Sequence, residues 1–240
     1  MSKVAFIEKN WEHIRAPFTA GIELLPNCNL RCIHCYEESE RQKHKKSMTN
    51  AEVKRVIDIL VEHGLLELFF TGGEVLTRPD FKLIENKIPF ELEFIGKRQN
   101  YAELSQMRNF SKELGVGSIT GVDIRPMNDG NQAPLEVRVT PEQVFDFHMN
   151  EPDLRDFWIN VALREDEHKT AKKRTAGNLY PCSVCYHYVY ITHDGNMQGC
   201  VKAVKPRYDL LNGNFEDGWK FLDEQVVSKK ASPKFPCWRP

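Results

Sequence analysis

Residues Thr19 to Cys35 read TAGIELLPNCNLRCIHC, and the reading of this stretch decides the fold. Thr19–Leu25 is apolar and β-compatible and stops at Pro26, so it predicts a strand. Directly after it, Cys28, Cys32 and Cys35 follow a C-x3-C-x2-C pattern. A loop this short aims several thiolates at one point. Three thiolates hold three irons of a four-iron cluster and leave the fourth iron open to an outside ligand. A zinc knot is the competing reading. It needs a fourth ligand at tetrahedral distance, and His34 is cramped between two cysteines.

Outward from the loop, Thr49-x-x-Glu52 forms a capping box. Val53, Val56, Ile57, Leu60 and Val61 then recur at helical spacing up to Gly64. Leu66–Phe70 reads as a buried strand that runs into Thr71-Gly72-Gly73-Glu74. Strand, helix, strand in this order predicts a parallel pair with a right-handed crossover. The Gly72-Gly73-Glu74 turn therefore falls at the C-terminal end of a strand, where ligands bind in parallel α/β folds. Two glycines let bare backbone approach a ligand, and the carboxylate accepts hydrogen bonds from an ammonium group.

The trio Cys28, Cys32 and Cys35 together with Thr71-Gly72-Gly73-Glu74 resembles the radical S-adenosylmethionine (SAM) superfamily. The resemblance implies an α/β fold, a partial (β/α)6 TIM-like barrel. It implies a [4Fe-4S] cluster on Cys28, Cys32 and Cys35, with SAM chelating the open iron. Gly72, Gly73 and Glu74 would hold the SAM amino group, with His34 and Tyr36 near the adenine and Asn100 and Ile124 among the cofactor-binding positions. Reductive cleavage would give methionine and a 5′-deoxyadenosyl radical that abstracts hydrogen from unactivated carbon.

Further along, Phe81–Lys87 reads as a short helix and Phe90–Ile95 as a strand. Tyr101–Leu114 reads as a helix with Leu104, Met107, Phe110, Ser111 and Leu114 on one face and Gly115 as its cap. Ser118–Arg125 reads as the next strand. Residues 127–139 form a loop, and Thr140-Pro141 opens another helix. The stretch 151–180 is polar and ambiguous. Against the family pattern, the chain passes from Phe81 to Lys87-Ile88-Pro89-Phe90 too soon. Two βα units, on the order of 60 residues, are expected to be missing. The second strand must then pair with the barrel's fifth, or an exposed edge remains.

The seven cysteines split three and four. Cys182-x2-Cys185 precedes Asp194-Gly195, a strong hairpin signal between Tyr188–Thr192 and Met197–Val201. The hairpin returns Cys200 toward Cys182 and Cys185, and Cys237 is a plausible fourth thiolate. Zinc and iron–sulfur are equally compatible with this spacing. The region resembles the SPASM or twitch extension of radical SAM enzymes that modify peptides. That resemblance implies one auxiliary iron–sulfur cluster on Cys182, Cys185, Cys200 and Cys237. His187 and His193 are expected to be exposed, and Tyr186, Tyr188, Tyr190 and Trp219 to be packing residues.

The chain has 240 residues, 41% hydrophobic and 28% charged, with 33 basic against 34 acidic side chains and a net charge of -1. This suits a soluble domain with a core. The absence of a basic excess argues against a nucleic-acid partner, and the short basic cluster Arg41 to Lys46 reads as a solvated loop. No run reaches the ~18 apolar residues of a membrane span. Met1 to Phe6 lacks a signal pattern, and an odd cysteine count argues against a disulfide framework. A cytoplasmic protein is expected.

The organisation expected is an extension at 1–20, a shortened radical SAM core at 21–150, and a small α+β twitch/SPASM-like domain at 151–240. The leading function is modification of a peptide or protein. Expected partners are that substrate, a reductant such as flavodoxin or ferredoxin, and a separate leader-binding protein, because only about twenty residues precede the barrel. Asp123 is the candidate general base and Glu74 the other candidate catalytic carboxylate. The alternatives are a degenerate, non-catalytic scaffold and a zinc-binding interaction module.

Overall fold

The computed structural model describes residues 14–36, 46–81, 91–127, 129–165, 184–201 and 203–227. These fall into two compact units. One is built from Met1–Asn29, Lys43–Phe81 and Lys173–Pro240, the other from Leu30–Gln42 and Lys82–Lys172. The units cut across the segments 21–150 and 151–240 expected from sequence. The reason is a long-range strand pairing that no local pattern encodes.

In the first unit, β1 (Thr19–Glu23), β2 (Glu67–Thr71), β5 (Tyr188–Ile191), β6 (Asn196–Gln198) and β7 (Tyr208–Asp209) form one sheet in the order β2-β1-β5-β6-β7. β1 lies parallel to both β2 and β5. The expected parallel pair is present, and so is the hairpin, with β5 antiparallel to β6. What sequence reading did not foresee is that the first strand of the hairpin docks on β1.

Parallel register aligns Gly21 with Phe69 and Tyr190, and Ile22 with Phe70 and Ile191. Period-2 alternation then gives the sheet two distinct faces. On one, Ala20, Ile22, Val189 and Ile191 are completely buried. Each such aliphatic side chain contributes about 1.5–3 kcal/mol when fully buried. The other face is partly open: Phe69 is 40% exposed and stacks on Tyr188 at 6.0 Å, while Tyr190 is buried. The expected buried strand is thus corrected. Among the described residues β2 pairs with β1 alone, so it is an edge strand whose outer face keeps its apolar side chains in solvent.

Helix α1 (Asn50–Glu62) starts as the sequence predicts. Thr49 and Glu52 form a reciprocal capping box, and Val53, Val56 and Leu60 are buried. Such a cap is worth about 1 kcal/mol. Val61 is 58% exposed, so the buried stripe is narrower than expected.

The second unit carries β3 (Glu91–Ile95) parallel to β4 (Gly117–Gly121), joined by α2 (Leu104–Glu113). α3 (Pro141–Asn150) and α4 (Pro152–Glu165) follow, α3 opening with a Thr140–Gln143 capping box. The buried face of α2 is Leu104, Arg108 and Ser111, while Phe110 and Leu114 are more than half exposed. The expected face is rotated because the Arg108 guanidinium turns inward to pair with Glu151 and Asp153. The expected helix Phe81–Lys87 lies outside the described residues beyond Phe81. The basic cluster lies outside them from Arg41 through residue 45.

Among the described residues β2 and β3 belong to different sheets. No helix among the described residues is long and apolar enough to cross a membrane.

α5 (Phe215–Leu222) meets the end of α1 through His63. The ring nitrogens of His63 lie 2.7 Å from the Ile59 carbonyl and 2.9 Å from a Glu216 carboxylate oxygen. Desolvation lowers the histidine pKa. The bonds to Ile59 and Glu216 outweigh it and leave the pKa raised. A raised folded-state pKa stabilises fully below the ordinary value of about 6.5, and the effect is lost as pH rises through the folded value. Substituting His63→Gln is expected to lower Tm more at about pH 5.5 than at about pH 8.5. Equal losses in thermal melts at both pH values would count against a charged pair.

Candidate functional site

The C-terminal ends of β1 and β2 meet in a tight backbone arrangement. Leu24 N–H donates to the Thr71 carbonyl at 2.8 Å, Gly73 N–H to the Leu25 carbonyl at 2.7 Å, and Glu74 N–H to the Asn27 carbonyl at 3.2 Å. The diglycine is required by this packing. Gly72 has φ +143, and a Cβ there would press on the Leu25 backbone. A Cβ on Gly73 would overlap the Asn27 carbonyl. The glycines therefore seat the turn against the start of the cysteine loop. Glu74 stands next to Cys28 through Asn27, and one of its carboxylate oxygens accepts the Leu76 N–H at 3.1 Å, capping the 3-10 turn Val75–Thr77.

The boundary between the units falls inside the cysteine motif, after Asn29. Cys28 belongs to the first unit; Cys32, His34, Cys35 and Tyr36 belong to the second. Cys35 is buried, and its N–H is bonded to the Cys32 carbonyl at 3.0 Å. As a donor set, the three cysteines Cys28, Cys32 and Cys35 on one eight-residue stretch suit an iron–sulfur group. Among the described residues, however, no three His, Cys, Asp or Glu side chains gather closely enough to hold a metal ion.

In the second unit, the Arg125 guanidinium lies over the Tyr36 ring at 3.7 Å, a cation–π contact. Asn100 uses both ends of its amide locally, accepting from Lys97 N–H at 2.7 Å and donating to the Ile95 carbonyl at 3.0 Å. It shapes the turn after β3. Ile124 is 2% exposed, and its carbonyl accepts from Arg138 at 2.6 Å. Asp123 lies beyond the end of β4, with its side chain 60% exposed and 4.0 Å from Arg138. It is not the inward strand residue that sequence reading expected, because β4 stops at Gly121.

The C-terminal thiols are described for Cys185 and Cys200; Cys182 and Cys237 lie outside the described residues. Cys185 is completely buried with φ +56. A Cβ on Gly199 would stand 3.1 Å from its sulfur, so the bare glycine lets the strand before Cys200 close on Cys185. Ala203 N–H points at the Cys200 sulfur at 3.4 Å. His187 and His193 are both 5% exposed, which corrects the expectation of exposed histidines. His187 packs on Phe18 and faces the Ile14 carbonyl at 2.8 Å; His193 faces the Lys46 carbonyl at 2.8 Å. Docking of β5 on β1 is what buries them.

Two arginines had no sequence signal. Arg15 donates to the Cys185 carbonyl at 3.0 Å and the Trp219 carbonyl at 2.8 Å and lies over the Trp219 ring. Its pKa is lowered by burial, partly offset by Asp223. Arg78 is buried in the same unit. Charged residues in turns read as exposed, and only the folded chain reveals such partners.

Residues 22–109 match the family model described as the Radical SAM superfamily. Over these residues the chain carries a radical SAM core. That family implies a [4Fe-4S] cluster and SAM. The "Probable GTP 3',8-cyclase" of Methanocella arvoryzae is 37% identical over 141 residues, 51% of this chain and 45% of the relative. The protein of that name from Methanococcus maripaludis strain C5 is 25% identical over 280 residues, 87% of this chain and 94% of the relative. That alignment is longer than this 240-residue chain, so the relative carries residues without counterpart here. The chain spans about half the length of several curated relatives, 47% of the first. The structure of Streptococcus suis SuiB bound to precursor peptide SuiA superposes with a TM-score of 0.52 at 11% identity, over 90% of this chain and 67% of SuiB. The chain thus shares the α/β fold of SuiB.

Replacing Gly73→Ala is expected to destabilise the radical SAM core by about 2 kcal/mol or more, since a Cβ would displace the Asn27 peptide. Urea unfolding measures it. A change below about 0.5 kcal/mol would show that the turn relaxes freely.

Proposed function

We propose that this radical SAM chain cleaves SAM reductively and directs the resulting chemistry at a peptide or protein. The single observation that supports the SAM site is the bonding of Gly73 and Glu74 N–H groups to Leu25 and Asn27. It brings the diglycine–carboxylate turn to Asn27, next to Cys28, where the cysteine motif begins. Those three thiols would hold the [4Fe-4S] cluster. When bound, the cluster and SAM supply one-electron cleavage of the sulfonium and, from it, hydrogen abstraction. Gly72, Gly73 and Glu74 would hold the SAM amino group. His34 and Tyr36 are assigned to its adenine, and Arg125 lies over the Tyr36 ring.

The substrate class is read from the open face of the first sheet. Strands β1, β2 and β5 read TAGIE, ELFFT and YVYI, without one lysine or arginine. Glu67 and the Phe69–Tyr188 stack occupy the open face. A nucleoside triphosphate carries several negative charges and needs cations. A peptide side chain suits an aromatic and carboxylate surface better. The second reading, a GTP 3′,8-cyclase activity, is favoured by the names of the relatives.

At the other end, Cys182, Cys185, Cys200 and Cys237 are assigned to an auxiliary iron–sulfur group of SPASM/twitch type. Support comes from the Ala203 N–H aimed at the Cys200 sulfur and the closeness of Gly199 to Cys185. A small reductant protein such as flavodoxin or ferredoxin would deliver the electron, and a separate protein would bind a leader peptide.

Under anaerobic conditions with dithionite, the reconstituted protein is expected to form 5′-deoxyadenosine. The triple replacement of Cys28, Cys32 and Cys35 by Ala is expected to form none. Saturable GTP binding is expected to be absent in equilibrium dialysis. Tight GTP binding with nucleotide conversion would move the function to the cyclase, and cluster binding without SAM turnover would leave a non-catalytic scaffold.

A further inference from the structure

Arg78 is 8% exposed, and its guanidinium makes four hydrogen bonds. It donates to the Leu24 carbonyl at 2.8 Å, the Met48 carbonyl at 2.8 Å, the Asn50 side-chain oxygen at 3.0 Å and the Asp80 carboxylate at 2.7 Å. These partners are not neighbours in sequence. Leu24 follows the last residue of β1 and precedes the cysteine loop; Met48 and Asn50 end that loop and begin α1. One guanidinium therefore joins the two ends of the segment that carries Cys28, Cys32 and Cys35. Arg78 itself stands four residues after Glu74, its N–H bonded to the Val75 carbonyl at 3.1 Å.

We propose that Arg78 is the positioning residue of the SAM site, clamping the base of the cysteine loop and tying it to the Gly72-Gly73-Glu74 turn. The inference rests on the radical SAM reading for its chemistry, although the clamp is a property of the chain alone. A planar guanidinium suits the task because it presents five donors in a rigid fork; a lysine offers three on a flexible stem. Two backbone carbonyls, which water would otherwise have to satisfy in a buried place, are taken up by one charged donor. Asp80 balances the charge at 2.7 Å. Arg78 touches neither cluster nor substrate in this role. It acts by fixing where the loop leaves β1 and where it enters α1, so that the two ends of the loop and the turn share one frame.

The test compares Arg78→Met and Arg78→Lys with Arg108→Met, which removes the buried arginine of the other unit, paired with Glu151 and Asp153. In the metal-free chain, iodoacetamide alkylation of each cysteine is followed by mass spectrometry. Arg78→Met is expected to raise the rates at Cys28, Cys32 and Cys35 by at least about ten-fold, the factor that losing even one of the four charged hydrogen bonds would give. Cys185 and Cys200 are expected to keep their rates, and Arg78→Lys to fall between. Arg108→Met is expected to lower Tm without the selective change. A second readout is electron paramagnetic resonance of the reduced, reconstituted protein with and without SAM. The SAM-induced spectral shift is expected to survive in Arg108→Met and to be lost in Arg78→Met.

Uniform acceleration at all five thiols, or the same pattern in Arg108→Met, would overturn the clamp in favour of general destabilisation. An unchanged SAM-induced shift in Arg78→Met would overturn the positioning role. Should Arg78→Met fail to fold, Asn50→Ala, which removes one of the four acceptors, is expected to give a smaller rise confined to the same three cysteines, and no rise would overturn the proposal. A wild-type chain that takes up no iron would sink the radical SAM reading, and the alkylation pattern would still decide the clamp.

Discussion

The backbone of Gly72, Gly73 and Glu74 lies against the backbone of Leu25 to Cys28, and the rest of the structure is arranged around that contact. It is made of main-chain N–H and carbonyl groups at 2.7–3.2 Å, and it is possible only where no Cβ intervenes. Each strand end alone would leave unpaired polar groups at the rim of the sheet. Joined, they satisfy each other and hold a carboxylate one residue away from the first cysteine of the motif. The fold's parallel β1–β2 pair delivers both ends to the same edge, as parallel strands must, and α1 returns the chain between them. The ligand-facing end of the sheet therefore follows from topology, and its chemistry follows from which side chains the turn and loop present there.

Much of this was legible in the sequence because it is local. The Thr49–Glu52 box, the Asp194-Gly195 hairpin and the strand before Pro26 each depend on a handful of adjacent residues. What escaped reading depends on distance. The docking of β5 on β1 joins residues about 170 positions apart, and no periodicity in YVYI distinguishes a strand that completes its own hairpin from one that also extends a parallel sheet. That docking buried His187 and His193 and redrew the domain boundary. Arg78 and Arg108 escaped for a related reason: a guanidinium is hydrophilic on any scale, and its burial is decided by carbonyls and carboxylates brought from elsewhere. The rotated face of α2 follows directly from Arg108.

The edge of β2 gives the shortened core its physical meaning. In the described residues β2 has one neighbour and β3 another, and the two pairs stand in different sheets. A relative aligned over more positions than this chain possesses fits a core from which internal units are missing. The part of the fold that carries the motif does not depend on such units, since the turn at Gly72–Glu74, the start of the cysteine loop and β1 are held by bonds among themselves. The β5 docking adds to this independence. It covers the second edge of β1, which makes β1 the interior strand of a three-strand parallel segment and closes one of its faces with Ala20, Ile22, Val189 and Ile191.

The same docking shapes what the open face offers a substrate. Tyr188 comes from β5 and Phe69 from β2, and they stack on the face of Gly21 of β1, whose missing side chain leaves room for the Phe69 and Tyr190 rings: a Cβ there would stand 2.7 Å from Phe69 and 2.8 Å from Tyr190. An aromatic surface flanked by Glu67 is thus assembled from three strands distant in sequence, with a glycine as the spacer. Such a surface repels a polyanion through its carboxylate and gives it no donor to replace lost water. An apolar or cationic side chain loses little water there and gains the ring faces. If the sheet lacked β5, Phe69 would stand alone at an edge. With β5 in place, the hairpin that leads to Cys200 also helps build this surface, so the C-terminal segment contributes to the core sheet as well as carrying its own thiols.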